Sequence, residues 1–192
     1  MSRAVDVGEL GEARFSQLLE SRSRYLNFFY INDVCLPRGG KIPTQIDFLV
    51  FSCKGFYCIE LKNWKGTVTV DDSAKYLYVR YADQPLKVSN PVMQNSIHVR
   101  TLYEETDYNF KNRVILTGSK LGTSEYVKTI DEFFVELTVG QDLYTEDFVE
   151  KTYEVFKSIK EENFLDSYSR SLYIDYQIED KHNKAMLKRR GR

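Results

Sequence analysis

TQIDFLVFSCKGFYCIELKNWKG, residues Thr44–Gly66, decides how this chain folds. Two apolar runs, Ile46–Phe51 and Phe56–Leu61, flank Ser52-Cys53-Lys54-Gly55. Short apolar runs around a Gly-bearing loop read as a β-hairpin. Both faces of each run are apolar, which places the pair centrally in a sheet covered on both sides. That makes the polar exceptions Gln45, Asp47, Glu60 and Lys62 informative. With Ser52–Gly55 as a symmetric loop, Phe51 faces Phe56 and Leu49 faces Cys58. The same register sets Asp47 opposite Glu60 and Gln45 opposite Lys62, and the two-residue period puts all four on one face. Directly opposed residues have Cβ atoms about 4.5–5.5 Å apart, so two carboxylates there repel. Burial sharpens that conflict.

Two arrangements answer it. In the first, a hard divalent cation such as Mg2+ or Mn2+ lies between Asp47 and Glu60, with the Leu61 carbonyl as a further ligand. Lys62 then assists water activation and offsets phosphate charge, the layout of a phosphodiester hydrolase. In the second, Lys62 neutralises both acids as a buried charge triad without metal, although such triads seldom improve on apolar packing. One inserted residue would throw Asp47 and Glu60 onto opposite faces.

Upstream of the hairpin, the spacing predicts a helix over residues 5–20 with Gly8, Glu12, Phe15 and Leu19 on one stripe. Glu12 is thus either an inward carboxylate or a surface residue at the stripe's edge. Tyr25–Leu36 reads as a strand ending in the turn cluster Pro37-Arg38-Gly39-Gly40. Downstream, strands are expected at Gly66–Val70 and around Tyr76–Tyr81, with Asp71-Asp72-Ser73 between them. Asn90 suits a helix N-cap and Pro91 the first helical position, with the helix reaching about Tyr103. Gln94 and His98 share a face of it at i, i+4; they can hold a phosphate, a base or a water, or simply form a polar solvent face. Further strands are expected at Arg113–Thr117 and Phe133–Leu137, and a helix at Glu146–Lys160 capped by Thr145. This order of elements belongs to an α/β or α+β domain.

The 192 residues suit one domain, or a domain over 1–160 with an extension over 161–192. Lys181–Arg192 is basic without an acid and reads as a solvated end of chain or a phosphate contact. A net charge of −1 carries no global attraction for a polyanion, so an anionic substrate must be met by a local cluster. Cys35, Cys53 and Cys58 lack a zinc spacing and read as reduced core or turn residues. Neither a signal-peptide stretch nor about 18 consecutive apolar residues occurs, so a soluble, cytoplasmic protein without membrane contact is expected.

The run Thr44–Gly66, preceded by GELGE (Gly8–Glu12) and followed by NPVMQNSIH (Asn90–His98), closely resembles the nuclease-related domain, NERD, which is similar to the PD-(D/E)xK nuclease superfamily. The resemblance spans roughly residues 5–120. It implies a restriction-endonuclease-like α/β fold, a central mixed sheet flanked by helices. It also implies Mg2+ or Mn2+ held by Asp47 and Glu60, Lys62 as the catalytic lysine, Glu12 as a helix-borne acid and Gln94 as a helix-borne amide. Gln45 and His98 fall at motif positions. Ile46, rather than Pro, stands before the acid, so the wider superfamily's PD signature is only half present. The expected activity is phosphodiester hydrolysis, with DNA as the nucleic acid, and a homo-oligomer or a separate helicase-type partner stays open. The alternative is a nucleic-acid-binding or assembly module whose nuclease site is vestigial.

Overall fold

The computed structural model of the protein describes residues 3–38, 41–81 and 84–164. In chain order its elements are α1 (Arg3–Leu26), β1 (Phe28–Arg38), β2 (Lys41–Ser52), β3 (Gly55–Lys62), β4 (Thr67–Thr69), β5 (Tyr76–Arg80), β6 (Pro85–Ser89), α2 (Pro91–Thr106), β7 (Lys111–Leu116), β8 (Ser119–Leu121), β9 (Val127–Thr129), α3 (Ile130–Glu136) and α4 (Glu146–Phe164). The basic stretch 181–192 and Gly39-Gly40 of the first turn cluster lie outside the described residues.

Two sheets result. The larger has the order β1-β2-β3-β7-β9, antiparallel from β1 to β3 and parallel from β3 to β9. The smaller has the order β6-β5-β4-β8. Every β3 residue before Lys62 is buried, as expected for a strand apolar on both faces. On one side of the large sheet Phe48, Val50, Tyr57 and Ile59 pack against Phe15 and Leu19 of α1 and Phe133 and Phe134 of α3. On the other, Leu49, Phe51, Phe56 and Cys58 pack against Leu102 of α2 and Val149 and Phe156 of α4. The result is an α/β layer arrangement with a central mixed sheet.

The β2–β3 register matches the sequence reading at Phe51↔Phe56 and Leu49↔Cys58. Its loop is tied by Ser52, whose Oγ donates to the Gly55 carbonyl at 3.1 Å and accepts from the Lys54 N–H at 3.2 Å. Gly55 has φ +141°, open to glycine and strained for other residues. The Asp71 turn also forms, with Ala74 N–H donating to the Asp71 carbonyl at 3.2 Å. Asn90 caps α2 by accepting from Val92 N–H at 3.0 Å, and Thr145 Oγ1 accepts from Phe148 N–H at 3.3 Å at the start of α4.

Residues Phe133–Leu137 are not a strand. They belong to α3 and its C-cap, and Thr129 and Glu132 close a capping box at its N-terminus. Aromatic and β-branched residues favour strands, but the reciprocal cap satisfies two amide donors and turns Phe133 and Phe134 inward on one helical face. The three short strands β6, β8 and β9 also escape the sequence reading. β8 and β9 have three residues each, too few for alternation to be read, and β6 opens on Pro85, which argues against a strand.

Candidate active site at the splayed hairpin

The ladder between β2 and β3 ends at Phe48↔Ile59, one step before Asp47 and Glu60. Asp47 therefore does not pair with Glu60 through the backbone, nor Gln45 with Lys62. Instead Asp47 Oδ2 accepts from the Leu61 N–H at 2.7 Å, filling the gap where the strands part. The apolar residues explain the divergence. Leu49 and Phe51 face the α2–α4 core, and so does Ile46, so β2 changes face between Ile46 and Leu49. Its neighbour does likewise, because Ile31, Val34 and Leu36 all enter that core. Asp33 sits at the crease of β1 with φ +50°, opposite Asp47 in a register running Asn32↔Phe48 and Val34↔Ile46. An Asp tolerates the left-handed region better than most residues with a side chain.

The crease sorts the expected polar residues into two groups. Glu60 and Lys62 continue the α2 side of β3. There Lys62 Nζ is bonded to Glu60 Oε1, and His98 Nε2 of α2 lies 3.6 Å from Glu60 Oε2. His98 Nδ1 is hydrogen-bonded in turn to Thr44 Oγ1 of β2, and both residues are buried. Glu12, Gln45 and Asp47 line an open cleft of about 670 Å³ with Ala13, Ser16 and Asp33. Gln45 Nε2 donates to Asp33 Oδ1 at 2.7 Å across the β1–β2 pair. Glu12 is exposed on α1 rather than buried, but its charge is felt by Asp47. Gln94 is exposed one turn before His98 and does not line the cleft.

α1 reaches this place through Gly11. A Cβ there would lie 2.8 Å from Cβ of Asn63, the residue after Lys62, so a larger residue would push the helix away. Asn63 is held by Thr117, whose Oγ1 donates to its Oδ1 at 2.7 Å.

Asp47 is the point at which the groups meet electrostatically. Burial, then the neighbouring Glu60 carboxylate, push its acid up to about 8 from an ordinary 3.8, with Glu12 adding to the rise; the Leu61 N–H and Lys62 oppose it. Glu60 behaves oppositely. Burial, its largest single influence, raises it, but His98 and Lys62 together outweigh that and hold it below the ordinary value. Lysine and histidine thus stabilise one carboxylate and leave the other short of positive charge.

A divalent cation fits this deficit. Two carboxylates and a carbonyl are hard oxygen donors suited to Mg2+ or Mn2+. The Leu61 carbonyl opens toward the same gap as its N–H, because both groups of one strand residue point to the same neighbour. Among the described residues no three His, Cys, Asp or Glu side chains form a ready metal cluster. The donor set is instead the sparse kind that Mg2+ completes with water and phosphate.

Three contributors escape the sequence reading. Thr44 and Asp33 orient His98 and Gln45, and Asn95 fixes α2 beneath them. Buried Asn95 Nδ2 donates to the Cys58 carbonyl at 2.8 Å and the Arg113 carbonyl at 3.1 Å. The signal was present: Asn95 and His98 interrupt the helical stripe Val92–Leu102 just as Glu60 interrupts its strand. Trp64 packs against the core beneath the small sheet, and no disulfide joins Cys35, Cys53 or Cys58.

Fold and site together define an α/β protein with a nuclease-like core. The family model of the nuclease-related domain, NERD, matches residues 7–118, more than half of the chain, and the chain belongs to that family. No curated protein and no solved structure matches it. No helix among the described residues is long and apolar enough to cross a membrane.

Proposed function

We propose that the protein is a Mg2+- or Mn2+-dependent nuclease acting on DNA. The observation that supports this reading is that Asp47 fills the gap beyond Phe48↔Ile59 and feels the charge of the nearby Glu60 carboxylate, which holds Lys62. Asp47, Glu60 and the Leu61 carbonyl hold the metal, which when bound neutralises the carboxylate pair and polarises the scissile phosphate. Lys62 orients the attacking water and offsets phosphate charge. His98, anchored by Thr44, steadies Glu60 on the α2 side of β3. Glu12, at the mouth of the cleft, serves as a further acid near the metal, and Gln94 contacts substrate from the exposed face of α2.

Purified protein incubated with plasmid, linear duplex and single-stranded DNA in Mg2+, Mn2+ or EDTA tests the reading. Cutting is expected with metal only. Asp47→Ala, Glu60→Ala and Lys62→Ala should each lower it by a factor of about 100 or more, the scale on which removal of a positioned charge acts. Their thermal transitions should stay cooperative. Cleavage that survives in all three variants refutes the assignment.

A further inference from the structure

The four-stranded sheet has one face on the core, through Val68, Leu77 and Val79, and one face outward. Its outward face is set by alternation. β5 exposes Tyr76, Tyr78 and Arg80, and β6 places Lys87 directly across from Tyr78. Thr67 and Thr69 continue the surface, with Thr67 Oγ1 hydrogen-bonded to Ser119 Oγ at 2.8 Å. Tyr76 is 39% exposed and Tyr78 52%, which leaves part of each ring within reach of a ligand. Lys87 Nζ lies 4.1 Å from the centroid of the Tyr76 ring and Lys75 Nζ 5.6 Å.

Charge on this face departs from the rest of the chain. The protein carries 28 acidic residues against 27 basic ones, yet none of the four strands contains an acid. Of the acids adjoining these strands, Asp71 is turned to Ser73 and Asp72 to Ser124 and the Glu125 N–H, while Asp83 lies outside the described residues. Two aromatic rings set among cations, with no anion in the strands, match the two requirements of unpaired nucleic acid, stacking surface for bases and positive charge for phosphates. The spacing suits it too. Residues two apart in a strand are about 6.8 Å apart, about two steps of the 3.4 Å repeat along one nucleic-acid strand.

We propose that this outer face, built around Tyr76, Tyr78, Arg80 and Lys87, is a binding platform for single-stranded DNA, separate from the cleft at Asp47. It is the local cluster that a chain of net charge −1 needs to meet a polyanion. The choice of DNA as the polymer rests on the nuclease reading; the stacking and charge argument does not.

Fluorescence anisotropy with labelled oligo-dT in EDTA, where metal-dependent cleavage is shut off, tests it. The wild type should bind with a salt-dependent affinity. Tyr76→Ala/Tyr78→Ala should weaken binding about tenfold or more, and Tyr76→Phe/Tyr78→Phe should restore it because the ring is kept. Arg80→Glu/Lys87→Glu, whose side chains are exposed, should flatten the salt slope by roughly 0.7 for each phosphate no longer neutralised. That pair also covers the case of an alanine variant that folds poorly. Tyr25→Ala, at a tyrosine 86% exposed on α1, should change nothing. Unchanged affinity in the folded platform variants overturns the proposal, as does binding confined to duplex DNA or to RNA. A wild type that binds no oligo-dT, or a self-association abolished in the tyrosine variants without DNA binding, overturns it as well. Cleavage that needs Lys62 but not the platform would leave the nuclease reading standing alone. Platform binding without cleavage on any substrate would do the reverse.

Discussion

A carboxylic acid enclosed beside a second carboxylate destabilises its fold as it loses its proton. Asp47 is such a group, moved from 3.8 to about 8 by burial and by Glu60. Because the folded form holds its proton more tightly than the unfolded form, Asp47 contributes stability that is complete below about pH 4. That contribution is lost as pH rises through about 8. Asp47→Asn, which still offers an oxygen to the Leu61 N–H, should therefore match the wild type at low pH in EDTA. It should melt several degrees higher at and above pH 8. Mg2+ or Mn2+ should raise the melting temperature of the wild type at that pH and leave the Asn variant unmoved, since a ligand of the native state stabilises it. A charge triad already satisfied by Lys62 predicts no metal effect and no gain from Asn. At this scale the identities of Asp47, Glu60 and Lys62 were legible, because a charge in an apolar run needs a reason. Asp33 is not legible in the same way, because its role depends on a backbone crease that residue types do not announce.

Among the elements, α3 shows how a local motif can outweigh strand propensity. Its sequence from Phe133 is aromatic and β-branched, but Thr129-x-x-Glu132 is a capping box written in the chain. Burial, the largest influence on Glu132, raises its acid, yet the Thr129 N–H and Lys120 prevail and hold it low. Here the folded form favours the charged state, so the contribution is present above the ordinary value of 4.5 and is lost as pH falls through the depressed one. Glu132→Gln should lower the melting temperature at neutral pH by an amount equivalent to about 0.2–1 kcal/mol, the range for a partly exposed charge. The difference should vanish in thermal melts near pH 3. Equal loss at both pH values would assign the effect to the hydrogen bond rather than the charge. The hairpin was legible at this scale because its loop and its apolar pairs agree on one register. Its far end was not, because Ile46 and Leu49 choose the same core only when α2 and α4 are there to receive them.

Across the whole molecule, a buried amide on the helix beside the site ties it to two strands of the sheet, and Asn112 of β7 reaches back to the Val92 carbonyl at 3.0 Å and Ser96 Oγ at 2.9 Å. Asn95 is fully buried and gives its amide hydrogens to carbonyls of β3 and β7 and to Asn112 Oδ1 at 2.8 Å. Asn95→Ala leaves those acceptors without a donor in a dry place, at about 1–3 kcal/mol for each group left unsatisfied. The variant should show a clear fall in denaturation midpoint, and with α2 loosened, His98 should hold Glu60 less well and metal-dependent cleavage should fall too. A stable variant with full cleavage would show that α2 is held without the Asn95 amide. By itself the sequence determined the central hairpin, its register up to Phe48 and Ile59, the capped helices α2 and α4, and which charged residues stand in apolar surroundings. Those follow from neighbours along the chain, whose spacing and turn chemistry are local. Only the tertiary structure decided that β1 and β2 crease together at Asp33 and Asp47, and that Glu60 joins His98 while Asp47 joins the Glu12 cleft. It also decided that three short strands complete the sheets. Those outcomes depend on which helix covers which face, a matter of packing between residues tens of positions apart that no local pattern encodes.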